Sequence, residues 1–140
     1  MTNERQAHNL EIIADFRAHA GLVGGMFEGM PILLLHHVGA KSGNAYITPL
    51  AYLPDGERWV IFAGNGGRPM NPGWYFNLVA VPTAAIEVGT AAHKVTARLA
   101  DGAEREDFIE RQKQITPGIG EMEKKSGRDV PVFVLERARD

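Results

Sequence analysis

Helical spacing of apolar residues marks the first twenty positions of this chain and residues 102–115, while strand-length apolar runs fill most of the interval. Leu10, Ile13, Ala14 and the aliphatic stem of Arg17 share one helical face, and Asn3 followed by Gln6 resembles a capping pair. With Gly21 as a C′ stop, the pattern predicts a helix over 4–20. The glycine-rich "GLVGGMFEGMP" that follows is a loop with apolar residues, the kind that lines ligand clefts. Strand-like runs then cover 32–38, 45–53 and 58–63, the last two joined by a hairpin turn at Asp55-Gly56. Pro72 fits position N1 of a short helix, "PGWYFNLVA", capped by Asn71. "TAAIEV" and "AHKVTARLA" form a second hairpin around Gly89-Thr90. "GAEREDFIERQKQI" is an amphipathic helix carrying Phe108, Ile109 and Ile115. "PGIGEMEKKSGRD" reads as a polar excursion, and "VPVFVLE" as a buried final strand.

About six antiparallel-compatible strands with short connections predict a mainly β (α+β) fold. Its architecture is a split antiparallel β-barrel with an N-terminal helix and two inserted helices, rather than a doubly wound parallel sheet. Barrel closure, or pairing in a homodimer, would cover the strand edges. The 140 residues suit one domain, with 1–30 supplying the first helix and a substrate-lining loop.

Composition narrows the function classes. There is no cysteine, so disulfides and thiolate metal sites are excluded and a reducing compartment is expected. With 15 basic and 17 acidic residues, the formal charge is −2, and no global field favours nucleic acid. The charged first residues contain no signal-peptide core. The longest uncharged apolar run, 30–38, is far short of the roughly 20 residues a transmembrane segment needs. A soluble, cytoplasmic protein is expected.

Two stretches carry candidate chemistry. Lys41, inside "GAKSG", is the only formal charge between Gly29 and Pro54. Gly39 and Gly43 let backbone N–H groups approach an oxyanion, Lys41 supplies charge and Ser42 a hydroxyl. It is not a Walker A loop, because the frame before Lys-Ser is missing and no helix follows. The plainer reading is a glycine turn with a solvated lysine. In "AGNGGRPMNPGWYFN", bare backbone at Gly64, Gly66 and Gly67 precedes Trp74, Tyr75 and Phe76, which suits a flat hydrogen-bonding heteroaromatic ring. Here the alternative makes Trp74 and Phe76 core residues. His36 and His37 are adjacent on a strand and point to opposite faces, so they cannot share a metal, and no metal site is expected. His36 or His37 could polarise a bound carbonyl, or serve as a hydrogen-bonded structural histidine.

Taken in order, "GAKSG", Thr48-Pro49-Leu50, "NGG" at 65–67, "NPGWYFN" at 71–77 and the closing "VPVFVLE" resemble the deazaflavin-dependent nitroreductase family, split-barrel oxidoreductases that use coenzyme F420. The resemblance spans residues 9–137. It implies that Val38, Gly39, Ala40, Lys41, Ser42, Gly43, Asn44 and Ala45 surround the coenzyme's phosphate, with Lys41, Ser42 and Gly43 as the matching contacts. It further implies that Ala63, Gly64 and Asn65 lie along the deazaflavin ring, with Gly73, Trp74 and Asn77 from the short helix. Many relatives carry an arginine where this chain has Tyr46, and some have basic residues at Ala40 and Asn65, which implies a weaker grip on the acidic tail of the coenzyme. Where nitroimidazole-reducing members place tyrosines over the substrate, this chain has Thr116, Ile119 and Met122. With Met26 and Phe27, Ile119 and Met122 would form an apolar lid. The implied activity is hydride transfer from reduced F420 to electron-poor, mostly apolar acceptors: enones or unsaturated lactones, coumarins, quinones and nitro compounds. Solvent is the default proton source, with Tyr46 and His37 as candidates. An FMN-dependent oxidoreductase on the same barrel, and a non-catalytic lipid or quinone carrier, are the alternatives.

Overall fold

The computed structural model describes residues 4–24, 30–65, 69–115, 118–127 and 129–138. Among these, four helices and six strands run in the order α1 (Glu4–Ala18), β1 (Ile32–Val38), β2 (Ala45–Asp55), β3 (Arg58–Phe62), α2 (Gly73–Ala80), β4 (Thr83–Val88), β5 (Ala91–Leu99), α3 (Gly102–Ile115), α4 (Gly118–Ser126) and β6 (Val132–Arg137). The strands close into an antiparallel barrel in the order β1-β2-β3-β6-β5-β4. β1 pairs with β2 over its whole length, from Ile32–Ala51 to Val38–Ala45. Its other seam is short, running only from Leu34–Glu87 to His36–Ala85 on β4.

Burial follows what covers each wall. β5 alternates, with Val95 and Ala97 inward and Thr96 and Arg98 in solvent, because its outer face is bare. β3 and β6 are buried on both faces. Inside, Leu33, Leu35, Ile61, Ile86, Phe133 and Leu135 make the core, and α2 adds Trp74 and Leu78 to it. Outside, Phe108, Ile109 and Ile119 of α3 and α4 cover Val60, Val132 and Val134. α1 lays Ile12, Ile13 and Phe16 over Ile32 and Leu34. Arg17 then reaches the Glu87 carboxylate at 2.7 Å, and His36 Nε2 meets the same carboxylate at 2.5 Å, straddling the short β1–β4 seam. No described helix is long and apolar enough to cross a membrane.

The barrel, the N-terminal helix and both hairpin turns agree with the sequence, and Gly56 and Gly89 take the left-handed conformations those turns require (φ 60° and 59°). Five local features differ. α1 stops at Ala18, with Ala20 in the left-handed C′ position (φ 54°) and the Gly21 N–H donating to the Phe16 carbonyl at 2.8 Å, a Schellman closure one residue earlier than expected. Its buried face is Ile12, Ile13 and Phe16, and Leu10 is exposed. Pro72 is the N-cap of α2 rather than N1, and no side chain caps it. The expected polar excursion contains α4, which packs Ile119 and Met122 on the barrel while Glu121, Lys124 and Lys125 face out. Ile115, expected on the apolar face of α3, is exposed.

Candidate functional site

β1 ends at Val38 and the chain turns through Gly39–Asn44 before β2 begins. The turn closes on itself: the Gly39 N–H donates to the Asn44 carbonyl at 2.8 Å, and the Gly43 N–H to the Gly39 carbonyl at 3.0 Å. The Ser42 Oγ accepts from the Asn44 N–H at 3.1 Å. Gly43 holds φ 72°, and Gly39 is buried so tightly that a Cβ would run into Ser42 Oγ. Lys41 projects from this frame, exposed, and makes no ion pair among the described residues. The backbone N–H groups of Lys41 and Ser42 are likewise without a hydrogen-bond partner among them. An ammonium beside two uncommitted amide donors is a donor set that suits a phosphate.

One side chain ties this loop to the helix. The Ala40 N–H donates to Asn77 Oδ1 at 2.9 Å, and Asn77 Nδ2 donates to His37 Nδ1 at 3.0 Å. Because Ala40 can only donate there, the amide orientation is fixed, and His37 Nδ1 must be an acceptor. His37 Nε2 therefore carries the proton and donates to Thr48 Oγ1 at 2.9 Å. His37 is 6% exposed, and burial, with a smaller effect from neighbouring His36, lowers its pKa to about 4. It is neutral near pH 7, with both ring nitrogens engaged. Tyr46 stacks on it at 5.7 Å and is itself exposed.

Beyond β3, Ala63 and Gly64 are buried, and Asn65 adopts φ 51° with its Nδ2 donating to the Met70 carbonyl at 2.9 Å. A Cβ on Gly64 would lie 2.6 Å from Met122 Sδ and 3.9 Å from Ile119 Cδ1, so α4 is seated directly on this backbone. Trp74 is 6% exposed and packs 5.8 Å from Phe133 in the barrel core, whereas Phe76 is exposed. No described residue lies within 4 Å of a Cβ placed on Gly73, so among the described residues the first turn of α2 borders open space.

The structure thus brings the Gly39–Asn44 loop to Asn77, and Ile119 and Met122 to Gly64. Met26, Phe27 and Thr116 lie outside the described residues. Thr48 is the partner that sequence reasoning did not single out for His37. A hairpin register pairing His37 with Tyr46 and Leu35 with Thr48 sets Thr48 diagonally beside the histidine, which was the available signal. A cavity of about 450 Å³ on the other face of β1 involves none of the loop residues. Its polar side holds Arg17, His36 and Glu87, where hydrogen bonds from the guanidinium and the ring hold the carboxylate's pKa below the ordinary value. Among the described residues no cluster could hold a metal ion.

The chain is a closed antiparallel barrel that sets a glycine-framed cation loop beside an aromatic helix. The family described as F420H(2)-dependent quinone reductase matches residues 10–137, and the chain belongs to it. An F420H(2)-dependent quinone reductase of Mycobacterium tuberculosis (strain ATCC 25618 / H37Rv) is 43% identical over 86 residues, covering 61% of this chain. The match spans 58% of that relative's length. A solved F420-H2-dependent reductase (FDR-A) is 36% identical with a TM-score of 0.71, covering 76% of this chain and 94% of its own. A solved domain-swapped dimer is 32% identical with a TM-score of 0.72, covering 93% and 96%.

Proposed function

We propose that this chain is an F420-dependent reductase of quinone-type acceptors. The observation that carries the reading is the Lys41 ammonium, unpaired among the described residues on a loop whose backbone is pinned by Asn77. Lys41 Nζ and the N–H groups of Lys41 and Ser42 would hold the coenzyme phosphate. The Ala63–Asn65 backbone and the open first turn of α2 at Gly73 would border the ring. Bound in its reduced form, the deazaflavin coenzyme supplies a hydride for an electron-poor acceptor. The chain contributes orientation and dryness: Ile119 and Met122 keep water from the Gly64 backbone, and Asn77 keeps the anion loop still.

Within acceptors, apolar Ile119 and Met122 favour flat, hydrophobic molecules, so enones, unsaturated lactones, coumarins and nitro compounds join the proposal behind quinones. His37 has both ring nitrogens committed, which favours solvent as the proton source. The family name supports F420 over FMN, and equilibrium titration with each separates them. We also propose a homodimer, since a relative of 32% identity is a domain-swapped one; light scattering on the purified chain checks it. The test of activity is anaerobic mixing of the protein with reduced F420 and a soluble naphthoquinone, following loss of the reduced coenzyme by absorbance. Catalysed oxidation above the protein-free rate is expected. No acceleration across a quinone panel, with no coenzyme bound, overturns the reading.

A further inference from the structure

Among the described residues, the bonds within Gly39–Asn44 are internal to the loop, except that from the Ala40 N–H to Asn77 Oδ1. The placement of the loop's amides therefore depends on which way the Asn77 amide faces. Rotated by half a turn, that amide would present its NH₂ to the Ala40 N–H, donor against donor. What opposes the rotation is the acceptor nitrogen of His37, which takes the Asn77 N–H at 3.0 Å. His37 holds that nitrogen bare because its other nitrogen donates to Thr48 at 2.9 Å.

The groups around the ring come from every element packed on it. Tyr46 and Thr48 lie on β2 and Asn77 on α2, while the next residue on β1, His36, is turned to the other face toward Glu87 and Arg17. None of those facing His37 is a carboxylate that would draw a second proton onto it.

We infer that His37 is a positioning residue for the anion loop: through Asn77 it selects the amide orientation that fixes the backbone donors around Lys41. The inference rests on the proposed coenzyme site for its functional meaning, but the device itself is testable without coenzyme. Its low proton affinity, with a pKa near 4, keeps the acceptor nitrogen bare throughout the neutral range.

The test uses the whole chain in three forms: wild type, His37→Leu and His37→Asn. The asparagine oxygen can stand where the ring Nδ1 was; leucine supplies no acceptor. Hydrogen exchange of the Ala40 amide is read first in the ligand-free protein. We expect protection to fall tenfold or more in His37→Leu and to return to within about threefold of wild type in His37→Asn. Titration with oxidised F420 should show the same order, with roughly tenfold weaker binding for leucine only. Should His37→Leu fold poorly, Asn77→Asp gives a second reading. Its carboxylate still accepts from Ala40 but faces the His37 nitrogen as a second acceptor, so imidazole ¹⁵N shifts should report a proton on Nδ1 that wild type lacks.

Ala40 protection that is unchanged by leucine, or lost equally in both variants together with that of all barrel amides, overturns the inference. If wild type binds no F420 while Ala40 protection still follows the acceptor, the positioning device stands and the proposed coenzyme falls.

Discussion

Gly39 and Ser42 are packed so closely that a methyl group on the glycine would overlap the serine hydroxyl, with the Tyr46 ring 3.1 Å behind it. The serine in turn holds the Asn44 N–H, so crowding at Gly39 would unpick the turn that carries Lys41. Gly39→Ala is expected to cost about 1–3 kcal/mol of stability by overpacking and to weaken F420 binding. Adding Ser42→Ala removes the atom that is struck and should recover part of both losses. Thermal melts and fluorescence titrations on the two variants check this, and a double variant no better than the single would refute it.

Removing the ammonium alone should leave the fold intact, because Lys41 is exposed and makes no ion pair with a described residue. Lys41→Ala is expected to weaken coenzyme binding by about 1.5–3 kcal/mol, the usual worth of a hydrogen bond to a charged group. Lys41→Arg should keep most of the affinity. The difference between lysine and alanine should shrink as salt is raised, since the pair would form at an exposed site. Titrations at two ionic strengths decide it.

Acid stability follows from His37. Its folded pKa lies near 4 against an ordinary 6.5, so between those values the unfolded chain binds the extra proton. Stability from this group is therefore complete above about pH 6.5 and falls as pH drops toward 4. The total loss is about 3 kcal/mol. Asp55 and Glu87, held below their ordinary pKa by Arg58 and Arg17, add a separate loss as the pH falls below 4.5. Urea melts from pH 7 to 4.5 should show the first slope in wild type and a flatter profile in His37→Asn.

Arg105 joins α3 to α4 and to the approach to β6. Its guanidinium donates to Glu123 at 2.7 Å and to the Val130 carbonyl at 2.9 Å, and its side chain is 13% exposed. Glu123 also accepts the Val130 N–H at 3.0 Å. Arg105→Met would leave that carboxylate half-buried without its cation, and a loss of about 2–3 kcal/mol is expected. Glu123→Gln should cost less, because an amide oxygen still accepts both donors. Chemical denaturation of the two variants gives the ordering.

How far the sequence foretold these features depends on how local their causes are. The strands were readable because Leu33, Val60 and Val134 lie in runs buried on both faces, and the turns because Gly56 and Gly89 supply conformations their neighbours cannot. α4 was not readable: only Ile119 and Met122 give it an apolar side, and its anchorage depends on Arg105, far away in sequence. Leu10 looked like a core residue by spacing, yet Phe16 took the inward place once the helix met β1. Lys41 stood out by its isolation among uncharged residues. The bonds of Asn77 did not, because partners 37 and 40 residues away meet only when α2 seats on the barrel.

The abbreviated ladder between β1 and β4 gives the barrel a weakest stave. With so few rungs from Leu34 to His36, breathing of the wall should begin there. Arg17, clasping Glu87 from α1, then acts as a hoop across the gap. Loosening the first helix would thus unfasten a cylinder whose remaining joints are sound.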